Sequence, residues 1–208
     1  IEDENFGAVI ECALAQPGFA EDAPERRIPA GFARNTVMGV ADTLLGMIKD
    51  GDVKNLFLIG GCDGARPGRN YFHDLAMATP SDSLILTLGC GKFRFNGEEL
   101  GDIKGVPRVL DMGQCNDAYS AIQVAVAVAG ALGVGVNDLP LHYAISWFEQ
   151  KATAVLLTML HLGLKRIHLG PTLPQFLTPE VLGVLIEKVD IRPTGDAQED
   201  LARMLQAA

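Results

Sequence analysis

Three of the four cysteines in this 208-residue chain stand where an apolar run ends in glycine. Leu56 to Ile59 leads through Gly60 and Gly61 to Cys62, Leu84 to Leu88 leads through Gly89 to Cys90, and Val109 to Met112 leads through Gly113 and Gln114 to Cys115. A strand that ends in one small residue is commonplace, so a single such thiol would carry little meaning. Three of them, each within two residues of a glycine, point to a thiolate-held metal centre. Thiolate sulfur is a soft ligand suited to zinc and iron–sulfur centres, and thiols from separate turns can hold a group wider than one ion. Glycine lets the backbone approach such a group closely and leaves amide hydrogens to face its sulfurs.

A second candidate is Trp147-Phe148-Glu149-Gln150-Lys151, at the start of a helical pattern. Glu149 offers a hard oxygen ligand for oxidised iron, and the Lys151 ammonium could stabilise negative charge or deliver a proton. An acid in a first helical turn is also expected from the helix dipole alone. The run Gly60 to Arg69 resembles a phosphate cradle but has neither the Walker nor the dinucleotide spacing of glycines; Arg66 and Arg69 could instead offset an anionic cluster. His73, His142, His161 and His168 share no ligand spacing and read as surface or core-edge residues. Cys12, on a helical pattern beside apolar residues, reads as a small core hydrophobe.

The elements that must position these groups follow from periodicity. Phe6, Val9, Ile10 and Leu14 give a helix over 2–15, stopped by Pro17 and Gly18, and 19–32 reads as a connector. Residues 1–30 are thus expected to be a helix and connector closing an upstream domain, with a cluster-binding domain over 31–208. A helix over 35–48 leads into the first cysteine strand. Residues 70–78 form a second helix, and the segment 91–105, where Phe93 and Phe95 alternate with Lys92 and Arg94, reads as a short hairpin or lid. The run 118–132 is apolar nearly all round, which predicts a helix packed on both sides. Strands at 141–146, 166–169 and 190–192 alternate with helices over 149–162, 178–188 and 196–206; Thr178-Pro179-Glu180 supplies a cap, a first-turn proline and an acid at the dipole's positive end. Strand and helix alternate six times, which predicts an α/β fold: a doubly wound, mostly parallel sheet with helices on both faces. In such a sheet ligands bind beyond the carboxyl ends of the strands, so the three sulfurs and the start of the 149–162 helix are expected to converge there.

A formal charge of −9 argues against nucleic acid or an anionic membrane surface as partner. No apolar run approaches the roughly 18 residues of a membrane span, and no secretory signal pattern opens the chain. Four cysteines are too few for a disulfide scaffold at this length, which favours a reducing, cytoplasmic setting. On the residues alone, three classes stay open: a redox enzyme's cluster-binding domain, a nucleotide- or phosphate-binding module, and a zinc-stabilised structural domain using the three thiolates and Glu149.

Four stretches, 60–71, 88–95, 111–120 and 146–151, together resemble the C-terminal part of the hybrid-cluster (prismane) proteins, or hydroxylamine reductases, in residue type, order and spacing. The resemblance runs from about Pro29 to the C-terminus. It implies a Rossmann-like domain, related to that of the nickel–iron carbon monoxide dehydrogenases, that supplies part of the ligand set of a hybrid iron–sulfur–oxygen cluster. By motif, Cys62 corresponds to the ligand able to carry an extra sulfur as a persulfide, Cys90 and Cys115 to thiolate ligands, Glu149 to a carboxylate ligand, and Lys151 to a neighbour of the cluster's open side. The implied reaction is two-electron reduction of hydroxylamine to ammonia and water, with nitric oxide as a proposed alternative substrate and a redox partner supplying electrons. The resemblance also implies a histidine, a glutamate and a further cysteine from an upstream domain, and a second, conventional cluster on an N-terminal cysteine motif. None of these falls within this sequence, and Cys12 matches none of them; the isolated chain is therefore expected to hold the cluster poorly and to turn over no substrate.

Overall fold

The computed structural model describes residues 5–25, 27–62, 70–146 and 150–206. In chain order the elements are α1 (Gly7–Leu14), α2 (Arg34–Gly39), α3 (Ala41–Lys49), β1 (Asn55–Gly61), α4 (Tyr71–Ala78), β2 (Ser83–Thr87), β3 (Asp102–Ile103), β4 (Val106–Pro107), β5 (Val109–Asp111), α5 (Ala118–Leu132), β6 (Leu141–Ser146), α6 (Gln150–His161), β7 (Ile167–Leu169), α7 (Pro179–Val189), β8 (Arg192–Pro193) and α8 (Ala197–Gln206). Three short 3-10 turns, at Cys90–Arg94, Cys115–Asp117 and Val136–Asp138, join them.

Six strands form one sheet in the order β5-β2-β1-β6-β7-β8, with every pairing parallel. From β1 the chain steps outward through β2 to β5, then crosses back to lay β6 on the other side of β1 and continues through β7 to β8. The direction of winding therefore reverses between β1 and β6, and the carboxyl ends of those two strands flank the natural crevice of a doubly wound sheet.

Strand side chains alternate between two buried faces, as a parallel sheet covered on both sides requires. Leu56, Leu84, Tyr143 and Ile167 join the core beneath α3, α5 and α6. Phe57, Ile59, Ile85 and Ala144 join a second core with α4 and α8. The Arg108 guanidinium anchors the start of β5 by donating to the carbonyls of Ser83, Leu100, Thr79 and Pro80 at 2.7–3.2 Å.

Several expectations need correction. The helix expected over 35–48 is broken at Val40 (φ −114°, ψ 16°), directly after Gly39, whose missing side chain lowers the cost of leaving helical geometry. The last strand pairs at Arg192–Pro193, two residues later than its apolar signal. Helix α5 is covered on one side only: Ala121, Val124 and Ala129 are buried while Tyr119 and Val126 are more than half exposed. Helix α1 buries no residue at all, and Cys12 is exposed rather than in a core. His142 and His168 sit inside the sheet, 8 % and 2 % exposed, not at its margin. The hairpin expected over 91–105 lies instead at β3 and β4, over 102–107, while Phe93 and Phe95 belong to and follow the 3-10 turn.

Candidate functional site

Cys62, Cys90 and Cys115 follow the carboxyl ends of β1, β2 and β5, three adjacent strands, and so lie along one edge of the sheet. Cys62 is buried, Cys115 half-buried and Cys90 exposed, and none is disulfide-bonded. A glycine with positive φ precedes each: Gly61 (φ 109°), Gly89 (φ 76°) and Gly113 (φ 116°). Their role in the described structure is to let the three turns touch one another. A side chain on Gly61 would stand 2.1 Å from the Ser146 carbonyl oxygen. One on Gly89 would stand 2.5 Å from the Gly61 carbonyl oxygen and 2.8 Å from the Cys115 sulfur. The Cys115 sulfur thus lies directly against the residue that precedes Cys90.

Backbone hydrogen bonds stitch the turns together. Gly61 donates to the Leu88 carbonyl at 2.9 Å, Gly89 donates to that of Gly113 at 2.9 Å, and Cys62 donates to that of Ser146, the last residue of β6, at 2.9 Å. The turn before Cys115 is held from both sides by acids. Asp111 Oδ1 accepts from the Gly113 amide at 2.9 Å, and Asp117 Oδ2 accepts from the Gln114 amide at 2.7 Å. Lys92, two residues after Cys90, completes the arrangement by donating to Asp111 Oδ1 at 2.8 Å and to the Gly113 carbonyl at 3.1 Å.

Lys151 lies exposed in the first turn of α6, the helix that follows β6, and β6 pairs with β1 across the winding reversal. Helix α6 also packs against the 3-10 turn of Cys115. Glu149 falls outside the described residues, as do Arg66 and Arg69 of the glycine-rich loop. Behind the cysteine turns, between the sheet and α5 and α6, lies an apolar cavity of about 260 Å³ whose walls include Gly60, Gly61, Leu88 and Cys115. One flank of the site is therefore apolar.

Among the described residues no three His, Cys, Asp or Glu side chains gather into a group small enough for one metal ion. The turns of Cys62, Cys90 and Cys115 touch, and the donors are soft sulfurs on glycine-rich backbone. That combination suits a cluster of several metal atoms.

The residue types flagged from sequence were the cysteines, the acid and the lysine near 150. Lys92, Asp111 and Asp117 escaped that reading, and the only signal for them was proximity in sequence to Cys90 and Cys115.

The fold and this edge define the chain as a doubly wound α/β domain with a row of strand-end thiols. The chain belongs to the Prismane/CO dehydrogenase family, whose model matches residues 1–202, including the segment before Pro29 that the motif resemblance left out. Over 99 % of its length it is 58 % identical to a hydroxylamine reductase of Solidesulfovibrio magneticus, covering 38 % of that protein. It is 53 % identical to a hydroxylamine reductase of Thermodesulfovibrio yellowstonii with the same coverage of each chain. The chain thus spans little more than a third of these relatives' length. Among solved structures, carbon monoxide dehydrogenase IV from Carboxydothermus hydrogenoformans superposes with a TM-score of 0.69 at 20 % identity, over 88 % of this chain and 35 % of that one. The carbon monoxide dehydrogenase of Thermococcus sp. AM4 gives 0.67 at 21 % identity, over 86 % and 33 %. At those identities the likeness concerns the fold.

Proposed function

We propose that this chain is the cluster-carrying C-terminal domain of a hydroxylamine reductase. The observation that carries the reading is the row of strand-end thiols, Cys62, Cys90 and Cys115, on three touching glycine turns at one sheet edge. The name of its relatives, hydroxylamine reductase, supports the choice of reaction. In this reading the three thiolates and Glu149 hold a hybrid iron–sulfur–oxygen cluster, with Cys62 carrying the persulfide sulfur and Lys151 beside the open side. When bound, the cluster supplies two electrons to a small nitrogen oxide; with two protons, hydroxylamine yields ammonia and water. This chain's own contribution is to fix the thiols on rigid strand ends, to keep water from the apolar flank, and to place the Lys151 ammonium where a leaving oxygen needs a proton. Further ligands, the electron donor and a second conventional cluster belong in this reading to upstream domains and a redox partner.

Cys62→Ala is the test, made on the polypeptide at the length its gene encodes. The reading expects loss of iron, of visible absorption and of hydroxylamine reduction. Tight nucleotide binding untouched by the substitution would instead favour a phosphate-binding module, and one zinc per chain without visible absorption would favour a structural zinc domain.

A further inference from the structure

The ion pair of Lys92 and Asp111 is nearly shut off from water, with side chains 13 % and 6 % exposed, and neither residue belongs to the thiol set. Taking two charges out of water is costly unless the geometry returns it, so a buried pair is weak evidence for stability in itself. What distinguishes this pair is where its remaining hydrogen bonds go. Both partners close on one peptide residue, Gly113. Asp111 accepts from its amide, Lys92 donates to its carbonyl, and the Gly89 amide donates to the same carbonyl. Gly113 stands two residues before Cys115, and Gly89 and Lys92 bracket Cys90. The pair therefore connects the turn of Cys90 to the turn of Cys115 through a single residue, whose φ of 116° only glycine adopts readily.

We infer that Lys92 and Asp111 are positioning residues that set the spacing of the Cys90 and Cys115 thiols for a shared inorganic cluster. The inference rests on the cluster reading above and deepens it. Outer contacts that orient ligands change metal affinity or activity by about 10- to 100-fold when removed, without touching the metal. A pair serving stability alone would behave differently, because replacing both charges by apolar residues of similar volume is often neutral or stabilising.

The discriminating variant is accordingly the double substitution Lys92→Met with Asp111→Leu, made on the full gene-encoded polypeptide and compared with Lys92→Arg and Cys115→Ala. The measurements are iron retained under a fixed chelator challenge, the electron paramagnetic resonance spectrum of the reduced protein, and the thermal midpoint. The double variant is expected to melt close to wild type yet to release iron about 10- to 100-fold more readily, with an altered spectrum. Lys92→Arg keeps the charge and the donors, and is expected to recover most of the wild-type spectrum. Wild-type iron retention and spectrum in the double variant, with both lost in Cys115→Ala, would overturn the positioning role alone. Should Cys115→Ala itself keep iron and spectrum, the cluster reading falls and this inference with it. A double variant that melts far below wild type and keeps the wild-type spectrum while folded would assign the pair to stability and overturn the inference.

Discussion

Gly89 shows most directly how single residues make the edge. Its positive φ and the space it leaves are separate demands, and other glycines here carry only the first: Gly105 (φ 82°) has nothing within 4 Å of where a side chain would begin. Alanine at Gly105 should therefore cost only the left-handed backbone, about 1–2 kcal/mol. At Gly89 (φ 76°, ψ −167°) the backbone lies in a region essentially reserved for glycine, and the methyl also meets the Gly61 carbonyl oxygen and the Cys115 sulfur, so the total should reach about 2–6 kcal/mol. Urea unfolding of the two variants measures the difference. Equal losses would mean that the turns can separate without cost, and the touching arrangement of thiol turns would lose its physical basis.

Among the elements, strands were the most legible in sequence, because four- to six-residue apolar runs closed by glycine announce themselves locally. Helix identity was legible too, but not helix surroundings. The outward side of α5 is as apolar as its inward side, and composition cannot say which side a sheet covers. Contacts between turns were not legible at all, since Lys92 and Asp111 meet across 19 residues and two strands. The central strands also hide a titration that their sequence does not advertise. His142 on β6 packs against Phe57, and burial first, then the neighbouring Arg166 and His168, lowers its pKa from 6.5 to about 4. The folded strand thus keeps the ring neutral, whereas an unfolded chain protonates it near its ordinary value. The stability contribution of the neutral ring is complete above about pH 6.5 and is lost as the pH falls toward about 4, by up to about 1.4 kcal/mol per pH unit. His142→Phe preserves a ring beside Phe57 and removes the proton site. Urea titrations from pH 7 to 4 should show a shallower loss in the variant than in the wild type; parallel curves would place the proton-linked cost elsewhere.

At the scale of the molecule, the doubly wound sheet brings Cys62, Cys90 and Cys115 to one edge, with the apolar cavity on one flank and α6 packed against the turn of Cys115. Helix α1 adds an uncovered surface: Phe6, Val9, Ile10 and Leu14 are each at least half exposed. Apolar stretches of this kind mark contact surfaces, and the chain spans only about 38 % of the length of the relatives it matches. If further ligands come from that remaining length, then three thiolates and one carboxylate on this chain are an incomplete set, and metal loading becomes a property of the whole polypeptide. The expected outcome is that the 208-residue chain, supplied with iron and sulfide without oxygen, loads substoichiometrically and reduces no hydroxylamine, whereas the full gene-encoded polypeptide loads fully and does. Iron and sulfide analysis, the visible spectrum and ammonia release on both forms make the comparison. A full iron complement with turnover on the 208 residues alone would show that the edge described here closes its own cluster, and that α1 serves some other contact.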